Sequence, residues 1–241
     1  MADNENRYKG RLFLIPTPLG DYAPGEVLPA GVLEHILSID TYVVEELRTA
    51  RRFLSAAGRK GHIDELTLVE LNEHTRDEEV RGYLSFFEKG DVGLISEAGL
   101  PAVADPGSIL VGLCHAHGIE VVPLVGPSSL MMSLMSSGLN GQRFAFNGYL
   151  PAKTEERRSA LRSLEKRSSS LGESEIFIET PYRNDQMLRD ILAVCHPGTS
   201  VCIAADITLP TQFIRTRRVE QWKKDIPTIG KRPCVFIILA R

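Results

Sequence analysis

Short apolar runs alternate with longer amphipathic segments along the first half of the chain. The apolar runs predict five strands, at positions 11–15, 41–45, 66–71, 91–96 and 120–124. Most of them are almost continuously apolar, which is typical of strands covered on both faces. The amphipathic segments predict helices over 27–37, 48–57, 75–89 and 107–117. This alternation predicts a mostly parallel sheet wrapped by helices.

The second half of the chain is less regular. Residues 128–138 open with two serines and close on a glycine, which predicts a helix. Strands are predicted for RFAFNGYL, EIFIE, SVCIAA, QFIRT and CVFIILA, with only two clear helices between them. Fewer crossovers indicate a mixed sheet with antiparallel pairs. We therefore predict an α/β chain of two domains, residues 1–124 and 125–241, and a loop at 167–175.

Composition places the chain among ordinary globular proteins, with 241 residues, 43% of them hydrophobic and 24% charged. The net charge of −3 gives no overall attraction for nucleic acid, so such a partner would have to meet a local basic patch. No apolar run approaches the roughly 18 residues that span a bilayer. The polar start MADNENRYKG has no apolar signal core. These features predict a cytoplasmic protein without a membrane partner.

Cysteine and histidine positions do not indicate a metal site. The cysteines lack any C-x-x-C spacing, and we expect all four to be reduced core residues: Cys114, Cys195, Cys202 and Cys234. His115 and His117 lie in a segment that reads as the end of a helix, where they would face different directions. We therefore expect no metal ligands in this chain.

Three predicted strands are followed by loops rich in proline and glycine. PTPLGDYAPGE follows the first strand, SEAGLPAVADPG the fourth and LVGPSS the fifth. Ligands bind at the carboxyl ends of strands in open α/β sheets, and glycine lets backbone approach them closely. Glu97 and Asp105 would suit a positive charge or ribose hydroxyls. The glycine fingerprints of dinucleotide and phosphate loops are absent, so these loops predict a pocket wall of another kind.

Six sequence blocks carry a family resemblance. PTPLGD, VVEELRTARRFL, LISEAGLPAVADPG, PLVGPSSL, FNGYLPAK and IETPYR follow one another in this order. They resemble the ribosomal RNA 2′-O-methyltransferase branch of the tetrapyrrole methylase superfamily. The resemblance implies a two-domain enzyme, usually a homodimer, that binds S-adenosylmethionine between its domains. It also implies methyl transfer to a ribose 2′-hydroxyl of small-subunit ribosomal RNA or a related RNA.

The same resemblance assigns roles to individual positions. It places the catalytic pair at Glu46 and Arg48, and Arg183 beside the substrate. Its cofactor contacts fall on Pro18, Leu19, Glu97, Ala98, Gly99, Leu100, Ser128, Ser129, Thr180, Ala205 and Pro233. In this assignment residues 1–124 carry the cofactor loops, and residues 125–241 complete the cleft.

Several positions depart from the family pattern. The E-D-T-R block reads Glu45-Glu46-Leu47-Arg48, Glu97 replaces an aspartate, and DITLPTQFIRT stands where E-L-T-K is usual. The chain also stops soon after CVFIILA, without the extra region of the ribosomal enzymes. Basic patches for RNA lie at 153–167 and 215–218. Two alternatives stay open: a methylase of a tetrapyrrole or other small molecule, and a relative that binds the cofactor without catalysis.

Overall fold

The computed structural model describes residues 7–240. They form two compact units, and the chain passes from one to the other between Ser128 and Ser129. The predicted assignment of cofactor loops to residues 1–124 and of a completing domain to 125–241 stays a prediction.

The first unit is built on a five-stranded parallel sheet. Its strands are β1 (Leu12–Ile15), β2 (Thr41–Val44), β3 (Thr67–Glu70), β4 (Val92–Ile95) and β5 (Val121–Pro123), in the order β3-β2-β4-β1-β5. Side chains alternate between two buried clusters: Phe13 and Ile15 lie in one, Leu12 and Leu94 in the other. Burial on both faces explains why β1, β2 and β4 are nearly continuous in apolar residues, whereas the edge strands β3 and β5 are only partly buried. The predicted fold class is confirmed.

Five helices accompany this sheet: α1 (Ala30–Ser38), α2 (Leu47–Leu54), α3 (Asp77–Gly82), α4 (Leu84–Phe87) and α5 (Ser108–Ala116). Residues 75–89, predicted as one helix, form two short ones with Tyr83 between them. The helix predicted over 48–57 leaves α-helical geometry after Leu54 and passes into a wider turn at Ser55–Arg59. That turn ends because Gly58 takes a φ of +114°, which is outside the helical region.

The second unit has a mixed sheet, as predicted. Its strands are β6 (Phe144–Tyr149), β7 (Ser174–Ile178), β8 (Ser200–Ala205), β9 (Phe213–Arg218) and β10 (Cys234–Leu239), in the order β6-β7-β10-β8-β9. The β6–β7 pair is parallel and the other three pairs are antiparallel. The helices are α6 (Ser129–Ser137), α7 (Thr154–Leu171), α8 (Asn184–Val194) and α9 (Val219–Trp222).

The prediction of a loop at 167–175 is wrong. Helix α7 continues to Leu171 and ends on Gly172, which takes a left-handed φ of 65°. Ser168 is fully buried and donates its hydroxyl to the Glu173 carbonyl at 2.7 Å. Arg167 forms ion pairs with Glu173 and with Glu175, whose side chain is fully buried. Tertiary partners therefore order a serine-rich segment that has weak helical propensity by itself.

The four cysteines are all buried and unpaired, as predicted. Burial raises the pKa of Cys114 and of Cys195 to about 12, so both stay protonated thiols. Within residues 7–240, no helix is both long enough and apolar enough to cross a membrane.

Candidate functional site

The three proline- and glycine-rich loops of the first unit lie side by side. Strands β4, β1 and β5 are neighbours in a parallel sheet, so their carboxyl ends meet at one edge. The loops after β1 and β4 are joined directly by two hydrogen bonds. Thr17 N donates to Gly99 O at 2.9 Å, and Gly99 N donates to Thr17 O at 3.1 Å. The two loops therefore form one continuous wall.

Two glycines allow this close approach. Gly99 has a φ of +82°, and a Cβ atom there would lie 3.2 Å from Leu19 Cδ2. At Gly126, in the loop after β5, a Cβ atom would lie 2.2 Å from Pro16 Cβ. Any larger residue at position 126 would force the loops after β1 and β5 apart. Glycine is thus required at both contacts.

Asp105 holds the loop after β4 in shape. Its Oδ1 accepts from Ala102 N at 2.9 Å and from Gly107 N at 2.7 Å. Ala102 and Ala104 both take positive φ angles, 64° and 62°, which are unfavourable for residues with a Cβ atom. Burial raises the pKa of Asp105 despite these hydrogen bonds. Asp105 therefore supports the loop internally.

A cavity of about 480 Å³ lies between the loop after β1, the start of the loop after β4 and helix α2. Four predicted cofactor residues line it: Pro18, Leu19, Glu97 and Ala98. The α2 side supplies Thr49, Arg52, Phe53 and Ala56. The size of the cavity falls within the range of small-molecule sites, and the lining of the cavity combines apolar surface with a few charged groups.

Carboxylates concentrate where β2 and β4 end. Glu97 N donates to Glu45 Oε2 at 3.0 Å, which places the two chain segments together. Partial desolvation, followed by the negative charges of Glu45 and Glu46, raises the pKa of Glu97. A cation bound here would relieve that repulsion. This edge of the cavity consequently favours a positively charged ligand.

The structure shows contacts of Glu46 that the family block did not reveal. Its carboxylate caps helix α2, accepting from Arg48 N at 2.9 Å and from Thr49 N at 2.6 Å. The Thr49 hydroxyl also donates to it at 2.6 Å. The Thr49 hydroxyl first, and then the two backbone donors, lower the pKa of Glu46. These bonds disfavour proton uptake and leave the exposed Arg48 side chain at the first turn of α2.

The predicted cofactor residues of the second unit meet at one edge of its sheet. Thr180 is the second residue after β7, Ala205 ends β8 and Pro233 directly precedes β10. The pairs Val235–Ile178 and Cys234–Ala205 align these three positions. Asp206 N donates to Pro233 O at 3.0 Å. Of the remaining predicted residues, Leu100 is half-buried beside Gly99, while Ser128 and Ser129 stand on either side of the division between the units.

Arg183, the predicted substrate contact, is held by a buried glutamate. Glu179 Oε1 accepts from Arg183 Nε at 3.0 Å and from Nη2 at 2.7 Å. The Glu179 side chain is fully buried, and within the described chain its Oε2 has no hydrogen-bond partner. Sequence reasoning missed Glu179, although an acid directly after the apolar run of β7 was a signal for it.

Comparison with known proteins identifies the family. Ribosomal RNA small subunit methyltransferase I of Escherichia coli O157:H7 is 32% identical over 98% of this chain and 79% of its own length. The enzyme of the same name from Vibrio cholerae is also 32% identical, over 89% of this chain and 72% of its own length. This chain belongs to that family. No protein-family model matches the chain.

Solved structures agree with membership of this methyltransferase family at the level of fold. The cobalt-precorrin-4 methyltransferase structure aligns with a TM-score of 0.61 and 14% identity, over all of this chain and 97% of its own. Uroporphyrin-III C-methyltransferase from Thermus thermophilus, solved with S-adenosylhomocysteine, aligns with a TM-score of 0.58 and 18% identity, over 95% and 97%. The predicted tetrapyrrole methylase fold is therefore confirmed. The identity to the ribosomal enzymes, 32%, is higher than the 14% and 18% to these two tetrapyrrole enzymes.

The cavity residues fit S-adenosylmethionine. Leu19 and Phe53 would supply apolar surface for an adenine, and Glu97, whose pKa is raised by partial desolvation and neighbouring carboxylates, would supply a place for positive charge. Gly99, where a Cβ atom would meet Leu19, leaves bare backbone for close contact. Among residues 7–240 there is no group of three histidine, cysteine, aspartate or glutamate side chains that could hold a metal ion.

Proposed function

We propose that this protein transfers a methyl group from S-adenosylmethionine to a ribose 2′-hydroxyl of small-subunit ribosomal RNA. The observation that carries the proposal is the Thr17–Gly99 bridge, which joins two strand-end loops along a cavity that fits the cofactor. The chain is 32% identical over 98% of its length to an enzyme named for methylating that RNA. This assignment explains why the dinucleotide fingerprint is absent although the sheet is parallel.

In this proposal the strand-end loops hold the cofactor. Pro18, Leu19 and the segment Glu97, Ala98, Gly99 and Leu100 bind it from the first unit, with Ser128 at the end of the third loop. The family resemblance assigns further cofactor contacts to Ser129, Thr180, Ala205 and Pro233. The bound cofactor supplies a methyl group already activated by positive sulfur. The remaining task of the protein is to align that methyl with the acceptor oxygen at about 3 Å, which is worth several kcal/mol.

The acceptor hydroxyl is proposed to meet Arg48 and Glu46. Because hydrogen bonds from Thr49 and Arg48 lower the pKa of Glu46, we assign it to positioning rather than to taking up the proton. Arg48, exposed beside this cap, contacts the RNA. Arg183, oriented by two hydrogen bonds to Glu179, makes a second substrate contact. The proton of the ribose hydroxyl would leave to solvent as its oxygen takes the methyl group, with the sulfur–methyl bond breaking and S-adenosylhomocysteine left as the product.

Labelled S-adenosylmethionine incubated with small ribosomal subunits tests the activity. The subunits come from a strain that lacks the gene, and large subunits serve as the control. Label is expected in the small-subunit RNA and in a dinucleotide that resists alkaline hydrolysis, because a 2′-O-methyl group blocks cleavage of the adjacent phosphodiester. Label released as an alkali-sensitive mononucleotide would indicate base methylation instead. Cofactor binding without any label in RNA would support the non-catalytic alternative.

We further propose that the protein is a cytoplasmic homodimer. The support for the dimer is the family resemblance described above, and the support for the location is the proposed ribosomal substrate. Light scattering coupled to size exclusion should give twice the chain mass of 26.7 kDa. A mass of one chain at micromolar concentration would contradict the dimer.

A further inference from the structure

Positive charge is concentrated in one short segment of the second unit. Residues 211–232 contain seven lysines and arginines and only two acidic residues, whereas the whole chain carries a net charge of −3. Such an excess on an otherwise acidic chain produces a local positive potential. The segment includes strand β9, which is an edge of the sheet.

Strand β9 presents its aromatic and basic side chains in a row. Phe213, Arg215 and Arg217 are every second residue of the strand and therefore lie on the same face. Neighbouring members of this row are about 6.8 Å apart along the strand. They pair with Ala205, Ile203 and Val201 of β8. A spacing of this size resembles the separation of successive phosphates along an extended nucleic acid strand.

Two guanidinium groups share the ring of Phe213. The Cζ atom of Arg215 lies 5.5 Å from the ring centroid, and that of Arg232 lies 5.8 Å from it. Arg232 is fixed in place because its Nε donates to Ile229 O at 2.6 Å. Nearby, Lys231 Nζ lies 4.9 Å from the ring centroid of Tyr182, which is 78% exposed. Cations held against aromatic rings in this way are ordered while their charge still faces solvent.

These charges are poorly neutralised. Within the described chain, no carboxylate comes within ion-pair distance of Arg215 or Lys231, and Arg232 reaches Asp206 only at 3.8 Å. Arg217 differs, because Asp225 accepts from it at 3.1 Å. The available cations are therefore Arg215, Lys231 and, in part, Arg232. Among the described residues, these cations are free of close carboxylate partners and can make charge-assisted hydrogen bonds to phosphate oxygens.

We propose that Phe213, Arg215, Arg232, Lys231 and Tyr182 form a surface, the β9 basic face, that binds the backbone of the RNA substrate. The guanidinium and ammonium groups contact phosphates, and the exposed Tyr182 ring offers a stacking surface for an unpaired base. The face adjoins the proposed cofactor contacts, since Phe213 pairs with Ala205 and Arg232 precedes Pro233. This inference rests on the proposed RNA methyltransferase activity and names where that substrate docks.

Three single variants test the face: Arg215→Ala, Arg215→Lys and, as a matched control, Arg189→Ala. Arg189 is exposed on α8 of the same unit and donates only to Gln186 among the described contacts, so its loss changes charge equally. We measure KM for small subunits at several salt concentrations, the Kd for S-adenosylmethionine and the unfolding temperature. Arg215→Ala should raise KM about fivefold to tenfold. It should also reduce the slope of log KM against log salt by about 1.

The variants separate docking from structure. Arg215→Lys should keep most of the salt slope because it keeps the charge, and Arg189→Ala should match the wild type. Cofactor Kd should stay unchanged in all three. An unaltered KM and salt slope in Arg215→Ala, with an active wild type, would overturn the β9 basic face alone. A wild type that labels no RNA would instead remove the proposed function.

Discussion

Thr17 and Gly99 exchange two backbone hydrogen bonds, of 2.9 and 3.1 Å, across residues that are 82 positions apart in sequence. The bridge makes a single wall from loops that follow two neighbouring strands. It also fixes the segment from Glu97 to Gly99 against the loop that carries Pro18 and Leu19. Substitutions at this wall should therefore affect cofactor binding as well as folding.

Replacing Gly99 by alanine should weaken cofactor binding about tenfold, because the new Cβ atom would press on Leu19 Cδ2 at 3.2 Å and disturb the wall. The positive φ alone should lower the free energy of unfolding by about 1–2 kcal/mol. Gly61→Ala is the matched control, since Gly61 has a φ of +87° but nothing within 4 Å of a new Cβ. Calorimetry should show lost affinity only for the Gly99 variant. Equal cofactor affinities in the Gly99 and Gly61 variants would show that Gly99 does not contribute to cofactor binding.

Glu97→Gln should stabilise the protein at neutral pH. The folded-state pKa of Glu97 lies above its ordinary value of 4.5, because of partial desolvation and the neighbouring carboxylates. The folded protein therefore favours the protonated form, and that stability is lost as pH rises through the raised pKa. Thermal unfolding should give a higher Tm for the variant at pH 7 and no difference at pH 4. A lower Tm at pH 7 would contradict the repulsion between Glu97, Glu45 and Glu46.

Glu46→Gln should show the opposite pH dependence. Hydrogen bonds from Thr49 and Arg48 hold the folded-state pKa of Glu46 below 4.5, so its contribution is present above that pH and lost on acidification. The variant should have a lower Tm than the wild type at pH 7, and the gap should narrow as the pH falls below 4.5 and through the lowered folded-state pKa of Glu46. Thr49→Ala removes only the hydroxyl donor to Glu46, so the dependence of Tm on pH should become weaker. If wild-type kcat falls at low pH and the variant loses this acidic limb of the pH profile, proton uptake would instead be assigned to Glu46.

Arg48→Ala should lower kcat about 100-fold, because a misplaced acceptor forfeits the alignment on which transfer depends. Cofactor Kd should not change, since Arg48 lies at the first turn of α2 and does not line the cavity. Arg51→Ala is the control, because it also removes a cation from α2. The ion pair that it loses, with Asp64, is exposed. Unaltered turnover in the Arg48 variant would remove its substrate role.

The sequence was most informative where a pattern is local. Each strand of the first sheet lies within one or two residues of its apolar run, and in β1, β2 and β4 burial on both faces leaves little room for polar residues. It was least informative where partners come from afar. The serines after Arg167 indicated a loop, yet the hydroxyl of Ser168 and the pairing of Arg167 with the buried Glu175 extend helix α7 through them. Likewise, Glu46 matched a catalytic block, and its role as the cap of α2 emerged only with Thr49 in place.

The sequence by itself determined the fold class, the family and the positions of the loops that follow β1, β4 and β5, since these depend on hydrophobic period, turn residues and ordered motifs. Only the tertiary structure decided which of those loops touch, which carboxylate caps a helix and which arginines keep an unpaired charge. Such properties depend on strand order and on distances between residues remote in sequence. A parallel sheet brings Thr17 to Gly99 because β1 lies beside β4, and no local pattern encodes that neighbour.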